Sequence, residues 1–335
     1  MKLGWEPVTL DLRTTFRIAH GASDQRFNVV VHLEEGLGEA AAVIYHGESQ
    51  AGIIAYLAGV ADQIAQEDDP NLLEQVLNRL PAGSQAARAG VDIALHDLWG
   101  KRLGQPVYRL LGLNPAHIPE TSFTIAIDTP EEMARRAAES GWPVLKIKLG
   151  SPDDLLRVAA IRQASPARLR VDANAGWDRD QAAELIPKLM DFDIELVEQP
   201  LPKGDIEGLR WLRARNYGVP ILADESIKTA RDVALHAGAV DGVVVKLMKS
   251  GGIREALRAI HTARALDMQV MIGCMVETSL GVTAAAHLAT LCDYVDLDGP
   301  LLIRNDPFQG LRYSGARIEL NDKPGLGVSR LVESS

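Results

Sequence analysis

Cysteine is almost missing: Cys274 and Cys292 are the only two in 335 residues. They cannot build a disulfide framework, so a reducing compartment, the cytoplasm, is expected. Basic charge is also short, with 35 Lys and Arg against 45 Asp and Glu and a formal net charge of −10. A nucleic-acid partner would call for a basic face, so none is expected. Met1-Lys2-Leu3-Gly4-Trp5-Glu6 forms no apolar signal segment. Thr278–Cys292, the longest uncharged stretch toward the end of the chain, carries His287. It falls short of the roughly 18–20 apolar residues of a membrane span, so no membrane partner is expected either. What is present is a 47% hydrophobic composition in a chain long enough for one large or two moderate domains.

The first third and the remainder have different rhythms. Phe27–Leu33 is a β-rich run closed by the turn Gly36-Leu37-Gly38. Helical patterns follow from about Ser49 to Leu80 and from Gln85 to Leu103. The second puts Ala87, Val91, Ala94, Leu95 and Leu98 on one face, which should be buried. These features describe an α+β unit over residues 1–115. Beyond it, short apolar runs alternate with amphipathic helices. Strands are expected at Ser122–Ile127, Val144–Leu149, Leu169–Ala173, Ile194–Val197, Ile221–Ala223, Gly242–Leu247, Gln269–Ile272 and Tyr294–Leu297. Thr129-Pro130-Glu131-Glu132 starts a helix as a capping box, Ser151-Pro152-Asp153-Asp154 resembles it, and Pro187 should kink its helix. Eight strands with seven intervening helices, their charged ends at Lys148, Asp172, Glu198, Asp224, Lys246 and Asp298, suit a closed barrel better than an open sheet. The expected architecture is α/β: a modified (β/α)7β TIM-type barrel over 116–305 with an N-terminal α+β capping domain. Residues 306–335 should form a C-terminal segment packing back on that domain.

Strand alternation sends Lys146 and Lys148 to one side and Ile147 to the other. Each strand-end acid, taken alone, reads as an N-cap of the following helix sooner than as a ligand. Asp172, Glu198 and Asp224 on three consecutive strands read differently, because converging carboxylates repel and a hard divalent cation compensates them. An all-oxygen set points to Mg²⁺, with Mn²⁺ a possible substitute, and no His/Cys cluster suggests zinc. In a closed barrel the second and sixth strands stand opposite, so Lys148 and Lys246 would face one another across that metal. The chemistry this suits is proton removal on one face of an acidified α-carbon and proton return on the other, with Lys146 and the metal lowering the pKa of the base.

The stretches Lys146-Ile147-Lys148, Asp172-Ala173-Asn174, Glu198-Gln199-Pro200, Asp224-Glu225-Ser226 and Val245–Ile253 resemble the enolase superfamily, and within it the muconate-lactonizing subgroup. The capping segment Leu103–Gly112 extends the resemblance over nearly the whole chain. It implies Asp172, Glu198 and Asp224 as metal ligands, Lys148 and Lys246 as the two acid/bases, and Asn174 and Glu225 as supporting residues beside them. Asp296-Leu297-Asp298-Gly299-Pro300 is similar to the Asp-x-Asp element of dipeptide epimerases of the L-Ala-D/L-Glu type. There the pair, Asp296 and Asp298 here, receives the ammonium of a dipeptide; the position at the barrel mouth favours this over a pair of capping or loop acids. Met275–Gly281 is similar to the same group.

The resemblance also implies that a capping-domain loop, here Phe16–Phe27, closes over the barrel and helps choose the side chain. Glutamate-specific members carry an arginine in its middle. This chain has His20 and Gly21 there, with Arg17 and Arg26 at the flanks, so His20 is a candidate substrate contact and the expected class is dipeptide without a particular side chain. Other reactions on the same scaffold stay open: o-succinylbenzoate synthase, N-acylamino-acid racemase and muconate cycloisomerase. A non-catalytic barrel would lack a ligand or a base, and none is missing. The expected partners are a small dipeptide substrate and further copies of the chain in a homo-oligomer.

Overall fold

A computed structural model describes residues 1–67 and 69–331. Three antiparallel strands open the chain: β1 (Leu3–Ile18), β2 (Gly21–Leu33) and β3 (Gly36–Ala41). The sequence pattern located only the middle one. β1 keeps few buried side chains, so it carries little apolar alternation, and its register with β2 slips between Asp11 and Phe16. The β1–β2 hairpin projects beyond the sheet with its tip at Ala19-His20.

Helices α1 (Gln50–Ala65) and α2 (Leu73–Arg79) replace the single helical stretch expected over Ser49–Leu80. Pro70 lies between them; it lacks an N–H and biases its predecessor away from the helical region. Asp68, within that stretch, lies outside the described residues. Helix α3 (Gln85–Leu103) starts on the Ser84 hydroxyl, which accepts from the Ala87 N–H at 3.1 Å, and ends on Gly104 at φ 64°. Its predicted face is fully buried against β2 and β3. Gly38 permits this approach, since a Cβ there would strike the backbone of Gly90 on α3. The short α4 (Val107–Leu110) leads out of the unit.

Eight parallel strands follow in sequential order: β4 (Phe123–Ile125), β5 (Val144–Lys148), β6 (Arg168–Asp172), β7 (Ile194–Glu198), β8 (Ile221–Ala223), β9 (Gly242–Lys246), β10 (Gln269–Gly273) and β11 (Tyr294–Asp296). Thr121 bridges to Val295, and the Ser122 N–H donates to the Val295 carbonyl at 3.1 Å, which brings the first and last strands together as a barrel. The connections are α5 (Pro130–Ser140), α6 (Asp154–Ala164), α7 (Arg179–Leu189), α8 (Ile206–Arg213), α9 (Ala230–His236), α10 (Leu247–Ser250) with α11 (Ile253–Ala265), and α12 (Ser279–Ala286).

Thr129 caps α5 by accepting from the Glu132 N–H, but the Glu132 carboxylate turns to Arg135 and Arg136, so the expected capping box is only half formed. Ser151–Asp154 does not form the expected cap: Asp153 is left-handed at φ 71° with no capping bond, and Asp154 instead accepts from the Gly150 N–H at 2.9 Å and Trp177 Nε1 at 2.9 Å. Pro187 falls in the last turn of α7, which runs into a 3-10 turn at Met190–Phe192.

Outward residues such as Ile147, Val171, Val197, Val245 and Ile272 pack under the helices in the main core. Leu196, Leu222, Val244 and Met271 point inward and plug the barrel below its mouth. From the C-terminal stretch, the Gly325 carbonyl accepts from the Val107 N–H at 2.9 Å and the Leu326 N–H donates to Asp97 on α3 at 2.8 Å. Residues 332–335 of that stretch lie outside the described residues. Among the described residues no helix is long and apolar enough to cross a membrane.

Candidate active site

The inward side chains form two layers because alternate residues of a strand share a face. The lower layer holds Lys146, Arg170 and the apolar plug. Two residues further along each strand lies the upper layer: Lys148, Asp172, Glu198, Asp224, Lys246, Gly273 and Asp296. Asp172, Glu198 and Asp224 are fully buried. Gly273 stands beside Lys246 on the neighbouring strand, and a Cβ there would come within 3.1 Å of Lys246 Cε. The lysine stem therefore lies closely against this glycine, where a side chain would require it to shift by a few tenths of an ångström.

Lysines hold these acids apart. Lys148 Nζ donates to Asp172 Oδ2 at 2.7 Å, and Lys246 Nζ to Asp224 Oδ2 at 2.7 Å. Lys146 Nζ lies 3.1 Å from Asp172 Oδ2 and donates to Glu198 Oε1 and Asp296 Oδ2, both at 2.9 Å. Lys146 thus serves as a hub for three acids and reaches Lys148 only through the oxygen they share. Lys249, on α10, bonds both the side chain and the carbonyl of Asp224. Burial alone would raise the Asp172 and Asp224 carboxyls, yet the adjacent lysines hold both well below the usual range. Burial and the neighbouring Asp172 push Glu198 up. For Lys246, burial is outweighed by Asp224, which raises its pKa.

The backbone after each acid is contorted. Asn174 (φ 45°), Ala175 (φ 59°) and Gln199 (φ 37°) are all left-handed, a costly state for non-glycine residues that gathers at sites where surrounding bonds enforce it. The Asn174 N–H donates to Asp172 Oδ1 at 2.9 Å, and its amide reaches Glu225 Oε1 at 3.1 Å. Gln199 Oε1 accepts from the Asp224 N–H at 2.8 Å. Lys249 and Gln199 were both visible in the sequence, within stretches quoted above, but nothing in their spacing marks them as braces of Asp224.

Above this floor lies a cavity of about 640 Å³. Lys146, Lys148, Asn174, Asp224, Glu225, Lys246, Asp296 and Asp298 line its base, and His20, Arg26, Tyr45 and the hairpin cover it. His20 is in place, its Nε2 2.7 Å from the Asn174 carbonyl, while Arg17 is exposed and not among the lining residues. The two strand-eight acids are unequal. Asp296 is held by Lys146 and by the Ser122 hydroxyl at 2.6 Å, whereas the Asp298 carboxylate, among the described residues, accepts only from the Thr124 N–H at 2.7 Å. Burial and the nearby Asp296 push Asp298 up to about 6.

The chemistry of the donor set suits a hard divalent cation, although with lysines between them no three acids among the described residues are grouped closely enough to hold one as they stand. Glu198 Oε2 is buried and, although 2.7 Å from Lys146 Nζ, is not aligned for a hydrogen bond with it or any other group among the described residues. Three carboxylates without histidine or cysteine match the oxygen ligation such ions prefer.

Residues 6–112 match the model of the mandelate racemase / muconate lactonizing enzyme N-terminal domain, and residues 128–333 the enolase C-terminal domain-like model. The L-Ala-D/L-Glu epimerase of Bacteroides thetaiotaomicron is 40% identical over 341 residues, 99% of this chain and 88% of that protein. The substrate-liganded L-Ala-D/L-Glu epimerase from Bacillus subtilis superposes with a TM-score of 0.90 at 34% identity, covering 98% of this chain and 99% of its own. The dipeptide epimerase from Enterococcus faecalis V583, complexed with Mg and L-Leu-L-Tyr, gives 0.92 at 35% identity over 98% and 99%.

Proposed function

The chain belongs to the mandelate racemase / muconate lactonizing enzyme family of the enolase superfamily, and from that premise we infer that it is a dipeptide epimerase inverting the α-carbon of the second residue. The observation that carries the reading is the placement of Lys148 and Lys246 on β5 and β9 around one acidic cluster, with Asp298 free to accept at the far rim. Asp172, Glu198 and Asp224 would hold Mg²⁺, for which Mn²⁺ would substitute. Bound there, the cation supplies positive charge to the substrate carboxylate, which acidifies its α-proton, and offsets the acids that now raise Lys246.

Lys148, unprotonated, takes the α-proton on one face, and Lys246 as ammonium gives one to the other; the reverse reaction exchanges these roles. Lys146 holds Asp172, Glu198 and Asp296 in position. Asn174 and Glu225 brace Asp172, and His20 closes the hairpin tip over the site. Asp298 accepts the ammonium of the first residue, with Asp296 fixed beside it by Lys146 and Ser122. An N-acylated amino acid has no ammonium to offer Asp298, which favours free dipeptides over the racemase alternative.

The test is incubation of free dipeptides in D₂O. Deuterium should enter the α-carbon of the second residue and the opposite epimer should accumulate. Equal turnover of N-acetyl and free dipeptides would overturn the reading in favour of an N-acylamino-acid racemase.

A further inference from the structure

Five cationic side chains border the cavity besides His20: Arg26, Lys146, Lys148, Lys203 and Lys246. Lys146, Lys148 and Lys246 bond the acids of the floor. Lys203 is exposed and donates to the Tyr45 carbonyl at 2.7 Å. Arg26 differs from all of them. It is half-buried, and the only hydrogen bond of its side chain among the described residues runs from Nη1 to the carbonyl of its neighbour Gln25, at 3.0 Å. Its guanidinium carbon lies 5.8 Å from the centre of the Phe16 ring, and burial pulls its pKa down. A guanidinium has five donors and gains most from a planar carboxylate that meets two of them at once. Here most of the fork is unused, on the wall of a cavity built around a small molecule.

The register says which part of that molecule it meets. Arg26 pairs directly with Leu10 across the antiparallel β1–β2 ladder, so the two side chains share a face. Leu10 packs with Leu12, Val276 and Ile303, and Phe16 and Leu302 lie against the same cluster. Val276 follows β10, and Leu302 ends the short turn that begins at Gly299, directly after Asp298. Arg26 therefore belongs to the wall above β10 and β11, on the side of Asp298 and away from the β6–β8 acids. In a dipeptide the ammonium and the first side chain leave the same carbon. Anchoring the ammonium at Asp298 directs that side chain toward this wall.

We propose that Arg26 is a specificity-determining residue that reads the side chain of the first residue of the dipeptide and selects an acidic one, glutamate above all. Phe16, Val276 and Leu302 provide the apolar surface its methylenes would cross, and a carboxylate placed this near Asp298 needs a cation to offset their repulsion. The proposal rests on the dipeptide reading above.

The experiment compares kcat/KM for L-Glu-L-Ala, L-Gln-L-Ala, L-Ala-L-Glu and L-Ala-L-Ala, followed by α-deuterium exchange with Mg²⁺ present, for wild type, R26M and R26K. A charge-assisted bond to arginine gives an expected preference for L-Glu-L-Ala over L-Gln-L-Ala of about tenfold to a hundredfold in wild type. R26M should bring that ratio close to one, and R26K should restore part of it; as a ratio within one enzyme, it is insensitive to a general loss of activity. A wild-type ratio near one, or an R26M effect confined to L-Ala-L-Glu, overturns the proposal while leaving the epimerase intact. Absence of exchange from all four dipeptides in wild type overturns the epimerase reading itself, and this one with it.

Discussion

Asp298 accepts from one backbone N–H and has its pKa pushed up to about 6 by burial and by Asp296. Protonated, it has no charge to offer an ammonium, so kcat/KM for a free dipeptide should rise as pH climbs through about 6. It should fall again near pH 8, where a free α-amino group loses its proton, at about 7.7–8.0. D298N should lack the acidic limb, and its kcat/KM for free dipeptides should drop by roughly 30-fold to several thousandfold, the range for leaving one partner of a buried charge pair unmatched. A pH profile of D298N with the same acidic limb as wild type would refute the assignment. The two lysines call for a different measurement. K148A and K246A should each lose epimerisation by at least about 10²–10⁴-fold while keeping exchange from opposite enantiomers, because each leaves one face served. Equal residual exchange of both enantiomers in both variants would contradict a two-face arrangement.

At the scale of elements, the capping unit and the barrel are joined by polar groups buried between them. Glu39 on β3 accepts from Asn28 Nδ2 at 2.8 Å, the Thr278 hydroxyl at 2.6 Å and the Gly281 N–H at 3.0 Å. Glu277, after β10, faces the same glycine, where a Cβ would collide with both carboxylates. Burial, then the charge of Glu39, pushes Glu277 up to about 8 from an ordinary 4.5. Across that interval the folded state binds more protons than the unfolded chain. Stability should therefore fall as pH rises from about 4.5 to about 8 and level off above. E277Q keeps the shape without the ionisation, so its Tm relative to wild type should climb between pH 5 and pH 8; parallel Tm curves would refute the buried acid. A second joint is Asp92 on α3, whose carboxylate accepts from the Ile253 N–H at 2.7 Å and so caps α11 of the barrel. D92A should cost about 1–2 kcal/mol in urea unfolding. Neither joint was legible beforehand, since Asp92 and Ile253 are 161 residues apart and only the docked units bring them together.

For the whole molecule, removing the metal should abolish turnover without unfolding the protein. Three converging carboxylates looked strained from sequence, but Lys146, Lys148, Lys246 and Lys249 already compensate them. Chelation should leave the circular dichroism spectrum native. Restoring Mg²⁺ to a hundredfold above its Kd should add about 2.7 kcal/mol of stability by mass action. Activity that survives thorough chelation would sink the metal assignment. The barrel is legible in the sequence because strand alternation and strand-end charge are local, periodic signals; they are enough to put Lys148, Asp172, Glu198, Asp224 and Lys246 at the mouth of a barrel. The long, half-exposed β1 and the break at Pro70 were not read, the first because its side chains alternate weakly, the second because a helical period continues on both sides. Which lysine pairs with which acid, the unequal standing of Asp296 and Asp298, and the turn of Arg26 toward the β10–β11 wall were decided by tertiary structure alone. Each depends on distances between strands far apart in the chain, and a residue's own neighbours carry no record of those.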